Sequence, residues 1–180
     1  PRWLPHYAML LADAGLAELG PKLREVPADL LFLAQNLRFL KDGGRLGLII
    51  PDGIIAGERF AAVRAALLQH HRIARVIELP RRVFKNTDAK AHILVLEKNA
   101  FDGKSFPVQR VEPDGTLAPA ILLTADQATQ RMDYSFYVNA HSESAGEVLR
   151  ALGAVVWRGR ISSTERKALD FPVFHTSDFD

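Results

Sequence analysis

Residues 40–98 constrain the fold of this chain more than any other stretch. They read LKDGGRLGLIIPDGIIAGERFAAVRAALLQHHRIARVIELPRRVFKNTDAKAHILVLEK, in which short apolar runs flank one amphipathic segment. Asp42-Gly43-Gly44 stops a preceding helix and turns the chain, because glycine reaches left-handed backbone angles without a side-chain penalty. Residues 46–50 are apolar and end at Pro51. A run this short, bounded by turn residues, predicts a strand buried on both faces, as parallel sheets require. From Arg59 onward Phe60, Val63, Ala66 and Leu67 recur at helical spacing, with Arg59, Arg64 and Gln69 placed elsewhere on the wheel. His70, His71 and Arg72 then put potential cations where the helix carbonyls end. Residues 73–79 and 92–97 are strand-like again. Strands alternating with a helix of this length predict a crossover unit of an α/β sheet, with one further strand returning.

The flanks are less regular. Residues 1–27 are broken by Pro1, Pro5, Gly15, Gly20, Pro21 and Pro27, which predicts an irregular lead-in with a helical turn or two over 7–14. A chain opening inside such a segment is expected to be cut from something longer. Residues 29–41 carry Leu30, Leu31, Leu33, Ala34, Leu37 and Leu40 as an apolar stripe, with Asp29 or the residues just before it as the helix cap. After Lys98, residues 106–111 and 116–123 predict a small hairpin around Pro113-Asp114-Gly115. Residues 124–130 predict a short helix, 131–137 an aromatic-rich link, and 144–152 a further helix.

Composition matters here for what it excludes. With 48% hydrophobic and 24% charged residues the chain has the makings of a globular core. No run approaches the ~18 apolar residues of a membrane span. No basic region followed by a long apolar core marks a signal peptide, so no membrane partner is expected and the cytoplasm is the expected location. Cysteine is absent, which excludes disulfides, thiolate catalysis and Cys-ligated zinc. The phosphate loop G-x-x-x-x-G-K-[ST], a G-x-G-x-x-G after a strand, H-E-x-x-H and G-x-S-x-G are missing. The histidines at 6, 70, 71, 92, 141 and 175 show no ligand spacing, so no metal site is expected. The net charge of +2 decides nothing, but its distribution is uneven. Residues 70–90 hold Arg72, Arg75, Arg81, Arg82, Lys85 and Lys90 against only Glu78 and Asp88, which fits either a polyanion partner or a solvated loop.

The order LKDGGRLGLIIPDGII, amphipathic helix, IARVIELPRRVFKNTDAKAHILVLEK resembles the back half of the catalytic domain of bacterial adenine-N6 DNA methyltransferases. The likeness is to the gamma-type arrangement, as in modification subunits of type I restriction systems and single-chain restriction-modification enzymes. It implies an α/β fold, a partial Rossmann-like sheet of an S-adenosylmethionine-dependent methyltransferase with a small mixed or β-rich C-terminal extension. The implied division is 1–27 as a lead-in from a truncated upstream half, 28–98 as the back half of the methyltransferase domain, and 99–156 as hairpin, linker and helix. Residues 157–180, with Trp157-Arg158-Gly159-Arg160-Ile161 and Phe171-Pro172-Val173-Phe174, resemble the opening of a DNA target-recognition domain, with an ordinary β-hairpin extension as the other reading.

Val83-Phe84-Lys85-Asn86-Thr87-Asp88-Ala89-Lys90 is similar to the family motif that precedes the last strand. There the aromatic stacks on the target adenine after the base has swung out of the duplex. An extruded base loses its stacking neighbours, and an aromatic face replaces them. The resemblance thus implies stacking by Phe84, where the residue alone favours packing of the loop onto the core. Arg81, Arg82, Lys85 and Lys90 would lie along the DNA backbone, with solvated surface charge as the other reading. Pro51 and Asp52 end the first strand, where open sheets place ligands, and are candidates for the edge of the substrate pocket, although a residue in the place of Asp52 more often caps the next turn or helix.

The family's glycine-rich donor turn and its catalytic N-P-P-[FY] have no counterpart in these 180 residues. No catalytic or cofactor-binding residue is therefore expected here, S-adenosylmethionine belongs to the parent enzyme, and the chain alone is expected to be inactive. The implied partners are double-stranded DNA and the specificity or restriction subunits. A noncatalytic DNA-binding or assembly module of a restriction-modification complex is the alternative, and an enzyme using the same donor on RNA or protein is a third reading. An incomplete sheet also exposes an edge, which invites pairing or aggregation.

Overall fold

In the computed structural model of the chain, which describes residues 2, 4–23, 25–101 and 105–140, the strand-helix-strand unit is present with its returning strand threaded through the middle. In chain order the elements are α1 (Leu4–Asp13), α2 (Ala28–Phe39), β1 (Arg45–Pro51), α3 (Asp52–Ala56), α4 (Ala61–His70), β2 (His71–Glu78), β3 (Ala91–Lys98), β4 (Ser105–Arg110), β5 (Ile121–Thr124), α5 (Ala125–Gln130) and α6 (Tyr134–Ala140). Single 3-10 turns at Ala17–Leu19 and Glu58–Phe60 join the helices. The sheet runs β1-β3-β2-β4-β5, and β3 is antiparallel to both neighbours. Among the described residues only β2 and β4 pair in parallel, over Val76↔Val108 to Glu78↔Arg110. The expected doubly buried parallel strand is therefore corrected at β1. It pairs antiparallel with β3 and alternates between half-buried Leu46 and Leu48 and exposed Arg45, Gly47 and Ile49, as an antiparallel strand covered on one face does.

Register decides which residues meet on the covered face. His92, Leu94 and Leu96 of β3 stand opposite Ile50, Leu48 and Leu46 of β1, and opposite Glu78, Val76 and Ile73 of β2. Onto this layer fold Leu30, Leu33, Ala34 and Leu37 from α2 and Val63, Ala66 and Leu67 from α4, all buried in one hydrophobic cluster. The turn into β1 is as expected. Gly43 has φ +72°, and a Cβ on Gly44 would stand 2.7 Å from the Lys41 carbonyl oxygen.

Several expectations are corrected. Residues 4–13 form a full helix, which Pro5 permits because a proline in the first turn breaks no intrahelical bond. The end of α1 is a Schellman motif: Gly15 is left-handed at φ +70°, the Leu16 N–H donates to Leu11 O at 2.7 Å, and the Gly15 N–H donates to Ala12 O at 3.0 Å. Leu11, Leu16, Leu19 and Leu23 join the core, so the lead-in is packed. The N-cap of α2 is Pro27, with no side-chain cap, and Asp29 stands in the first turn. The hairpin is present as β4 and β5, with Phe106 opposite Leu123. The short helix α5 is closed by a capping box in which Thr124 and Gln127 each bond the other's backbone N–H. The aromatic link is helical over α6, because Tyr134 and Tyr137, three apart, bury the same face. The helix expected at 144–152 and the segment 157–180 lie outside the described residues. No described helix is long and apolar enough to cross a membrane.

His71 pins the lead-in to the sheet. Its ring is buried, its Nε2–H donates to Ala14 O at 2.9 Å, and its Nδ1 accepts from the Asn99 N–H at 3.2 Å, so both nitrogens are occupied in the neutral form. Burial pushes its pKa below the ordinary histidine value, against the opposing pull of the Ala14 carbonyl. The sign follows directly. Above the unfolded pKa of about 6.5 the ring is neutral in both states, and below it only the unfolded chain takes the proton readily. Stability is accordingly expected to fall as the pH drops below about 6.5, by up to ~1.4 kcal/mol per unit until the folded ring titrates. Urea midpoints at neutral and mildly acid pH, compared with those of His71→Gln, check this. An equal acid loss in the variant would assign the effect to other groups.

Candidate nucleic-acid interface

The loop that carries Phe84 spans residues 80–90 between β2 and β3. It is closed at its base by the Leu79 N–H donating to Ala91 O at 3.0 Å and by the Glu78↔His92 pairing. Residues 81–89 are all exposed. Two left-handed residues shape the loop, Arg82 at φ +62° and Asn86 at φ +64°. Asparagine tolerates that region, whereas for arginine it is uncommon. The Arg82 guanidinium reaches across the loop to Asp88 Oδ1 at 2.8 Å, and the Ala89 N–H donates to Thr87 Oγ1 at 3.1 Å. Arg82, Phe84, Lys85, Asn86, Thr87 and Asp88 together line a shallow, open depression. Phe84 is 38% exposed and lies outside the buried core cluster. Arg81 and Lys85 belong to the same exposed run.

Lys90 is placed differently from the other three cations. Its side chain is only 19% exposed, and its Nζ lies 3.1 Å from Glu78 Oε1, 3.7 Å from Asp133 Oδ2 and 3.8 Å from Asp52 Oδ1. Each carboxylate has a further partner. Glu78 accepts from the Ser135 N–H at 3.0 Å and from its hydroxyl. Asp133 is held by both Nε and NH2 of Arg131, at 2.7 and 3.1 Å. Asp52 Oδ1 accepts from His92 Nε2 at 2.8 Å, on a ring that is fully buried and whose Nδ1 has no hydrogen-bond partner among the described residues. That hydrogen bond, helped by the charges of Lys90 and Arg131, holds the Asp52 carboxyl below the usual carboxylate range in spite of its burial.

Asp52 is the first residue of α3, directly beyond the end of β1. It does not cap that helix, since the N-cap is Pro51 without a side-chain bond, and its carboxylate turns to His92 instead. Its own N–H donates to Lys90 O at 3.0 Å, while Pro51 is half-buried opposite Ala91. The structure therefore brings Asp52, His92, Lys90, Glu78 and Asp133 together at the base of the loop. Sequence reasoning placed Asp52 and Lys90 in a site but missed His92, Glu78 and Asp133. Alternation along the strands offered a signal for two of them, because His92 shares a face with Leu94 and Leu96, and Glu78 with Val76.

Comparison with known proteins adds three findings. The N-6 DNA Methylase family model matches residues 15–114. No curated protein matches the chain. Solved structures similar to it include the M protein of the type I restriction enzyme EcoKI, with 18% identity and a TM-score of 0.42 over 47% of this chain and 20% of that one. The type I restriction-modification methyltransferase subunit of Streptococcus thermophilus is 21% identical, with a TM-score of 0.41 over 66% of this chain and 24% of that one. The type IIG restriction endonuclease BpuSI is 14% identical, with a TM-score of 0.39 over 78% of this chain and 16% of that one. The chain thus spans about a quarter or less of the length of these proteins.

Proposed function

This chain belongs to the N-6 DNA methylase family, and on that premise we propose that it is part of an enzyme that transfers a methyl group from S-adenosylmethionine to the N6 amino group of adenine in double-stranded DNA. The parent enzyme serves a restriction-modification system in the cytoplasm, alongside specificity or restriction subunits. The chain supplies the DNA-facing side of that enzyme. Its 180 residues contain neither the glycine-rich donor turn nor N-P-P-[FY], so donor binding and the chemical step are assigned to the rest of the parent.

The observation that carries this reading is Phe84. A large apolar ring stands exposed on a shaped loop between cations, where burial in the core does not account for it. An extruded adenine offers the flat partner such a ring lacks, and stacking of one base contributes about 1–3 kcal/mol. Arg81, Arg82 and Lys85 supply the attraction to phosphate that brings the loop to the duplex, independent of sequence and sensitive to salt. Pro51 and Asp52 form the edge of the pocket that receives the base.

Fluorescence-anisotropy titration of duplexes carrying either a paired or a mismatched adenine, at two salt concentrations, tests this. Mismatch lowers the cost of extrusion, so the wild-type chain is expected to prefer the mismatched duplex by about tenfold. Phe84→Ala is expected to lose that preference and keep the salt-sensitive background. Equal behaviour of the two proteins, or no binding even at low salt, would remove the stacking role and favour a noncatalytic assembly module.

A further inference from the structure

We infer that Lys90 is a positioning residue for the Phe84 loop and not one of its phosphate contacts. Glu78 is the last residue of β2 and Lys90 the residue before β3, so their ion pair at 3.1 Å joins the two stems of the loop across its base. The same ammonium reaches Asp133 just ahead of α6 and Asp52 at the start of α3. The Lys90 carbonyl accepts the Asp52 N–H, so backbone and side chain both fasten this position. The far side of the clamp is fixed in turn. Ser135 at the start of α6 donates twice to Glu78, and Arg131 grips Asp133 through two nitrogens. The loop is thereby tied to three elements through one side chain.

Electrostatics argues against the alternative. The side chains of Glu78 and Asp133 are 5% and 3% exposed, and their charges stand close together. Drawing the ammonium out to a phosphate would leave the nearly buried Glu78 carboxylate without its Lys90 ion pair and Asp133 with Arg131 alone, a far costlier state than loss of an exposed pair. Arg81 and Lys85, exposed on the loop, meet no such penalty. The consequence for Phe84 rests on the stacking reading above, whereas the clamp itself is testable without DNA.

The absence of cysteine allows a single nitroxide label, introduced by Lys85→Cys in the full chain, to report on the loop alone. Electron paramagnetic resonance is expected to show a restrained label in the parent and a correlation time shortened by about twofold or more in Lys90→Met. Lys90→Arg is expected to restore the restraint, since a guanidinium reaches the same carboxylates. If Lys90→Met does not fold, Glu78→Gln carries the same readout, because it keeps the side chain's size and removes one charge of the clamp. In unlabelled protein, Lys90→Met is expected to leave the slope of log affinity against log salt unchanged, whereas loss of a true phosphate contact lowers it by about 0.9. An unchanged label spectrum, or a slope reduced by that amount, overturns the inference. A mobilised label together with a silent Phe84→Ala leaves the clamp standing and removes the stacking role instead.

Discussion

Arg64→Met is expected to destabilise the chain by on the order of 3 kcal/mol, the net of several lost bonds partly replaced by water. Arg64 has no exposed surface, and its guanidinium donates to four backbone carbonyls. Two belong to the end of α3, Ile54 O at 2.9 Å and Gly57 O at 2.8 Å, and two to the end of α5, Thr129 O at 3.0 Å and Gln130 O at 2.6 Å. The carbonyls of Ile54, Thr129 and Gln130 are helix-terminal acceptors with no partner inside their own helix, while Gly57 O also accepts the Phe60 N–H at 3.1 Å. The same ends are closed by the Gly57 N–H on Gly53 O and the Met132 N–H on Ile55 O, so α3 leaves few carbonyls for water. Methionine fills the volume but donates nothing. Arg64→Lys is expected to recover only part of the loss, because one ammonium cannot reproduce a planar fork spread over two helix ends. Urea midpoints at constant slope read the effect directly. Arg59→Met, which alters an exposed neighbour, is expected to change them by less than about 1 kcal/mol. Against a total stability of typically 5–15 kcal/mol, the Arg64 loss is a large fraction. A midpoint unmoved in Arg64→Met would show that water satisfies those carbonyls unaided.

Arg64 also marks where the sequence misleads. It stands four residues after Phe60 and three before Leu67, inside the apolar stripe, yet charge alone assigns it to solvent. What it answers, two helix ends in residues 52–57 and 125–130, is nonlocal and invisible to a wheel. The strands show the opposite case. Runs over 46–50, 73–79 and 92–97 match β1, β2 and β3 within a residue or two, because strand formation follows local composition. Their neighbours do not follow from composition. Insertion of β3 between β1 and β2 is a property of the tertiary pairing, and the local pattern predicted only that one further strand returns.

The candidate site divides along the same line. Phe84, Arg81, Arg82 and Lys85 lie in one continuous segment and are exposed together, so their proximity was legible from order alone. The cluster beneath them draws on Asp52, Glu78, Lys90, His92 and Asp133, from four separate places in the chain. A lone buried histidine opposite an aspartate forty positions away leaves no spacing to read. Lys90 was legible as a cation, but the carboxylates that draw it inward come from β2 and the turn before α6. Charge counting along 70–90 treats it as equal to Lys85, and burial separates them.

The lead-in supplies the second large effect. Leu11 is fully buried and sits at the C3 position of the Schellman motif, with fully buried Leu16 at C″. Both belong to the cluster that contains Leu94 and Leu96 of β3. Leu11→Ala therefore opens a cavity in the common core and is expected to cost about 2–5 kcal/mol. Met9→Ala, two residues away on a side chain 73% exposed, is expected to stay within about 0.5 kcal/mol. The location of the loss is as informative as its size. If residues 4–23 are integral to the fold, native-state hydrogen exchange at the β3 amides of Leu94 and Leu96 speeds up by the full destabilisation, because these amides open only with the whole unit. If the lead-in were an appended segment, Leu11→Ala would speed exchange within α1 alone and leave β3 protected. The His71 ring, anchored to Ala14 O and the Asn99 N–H, joins α1 to the strands and favours the first outcome.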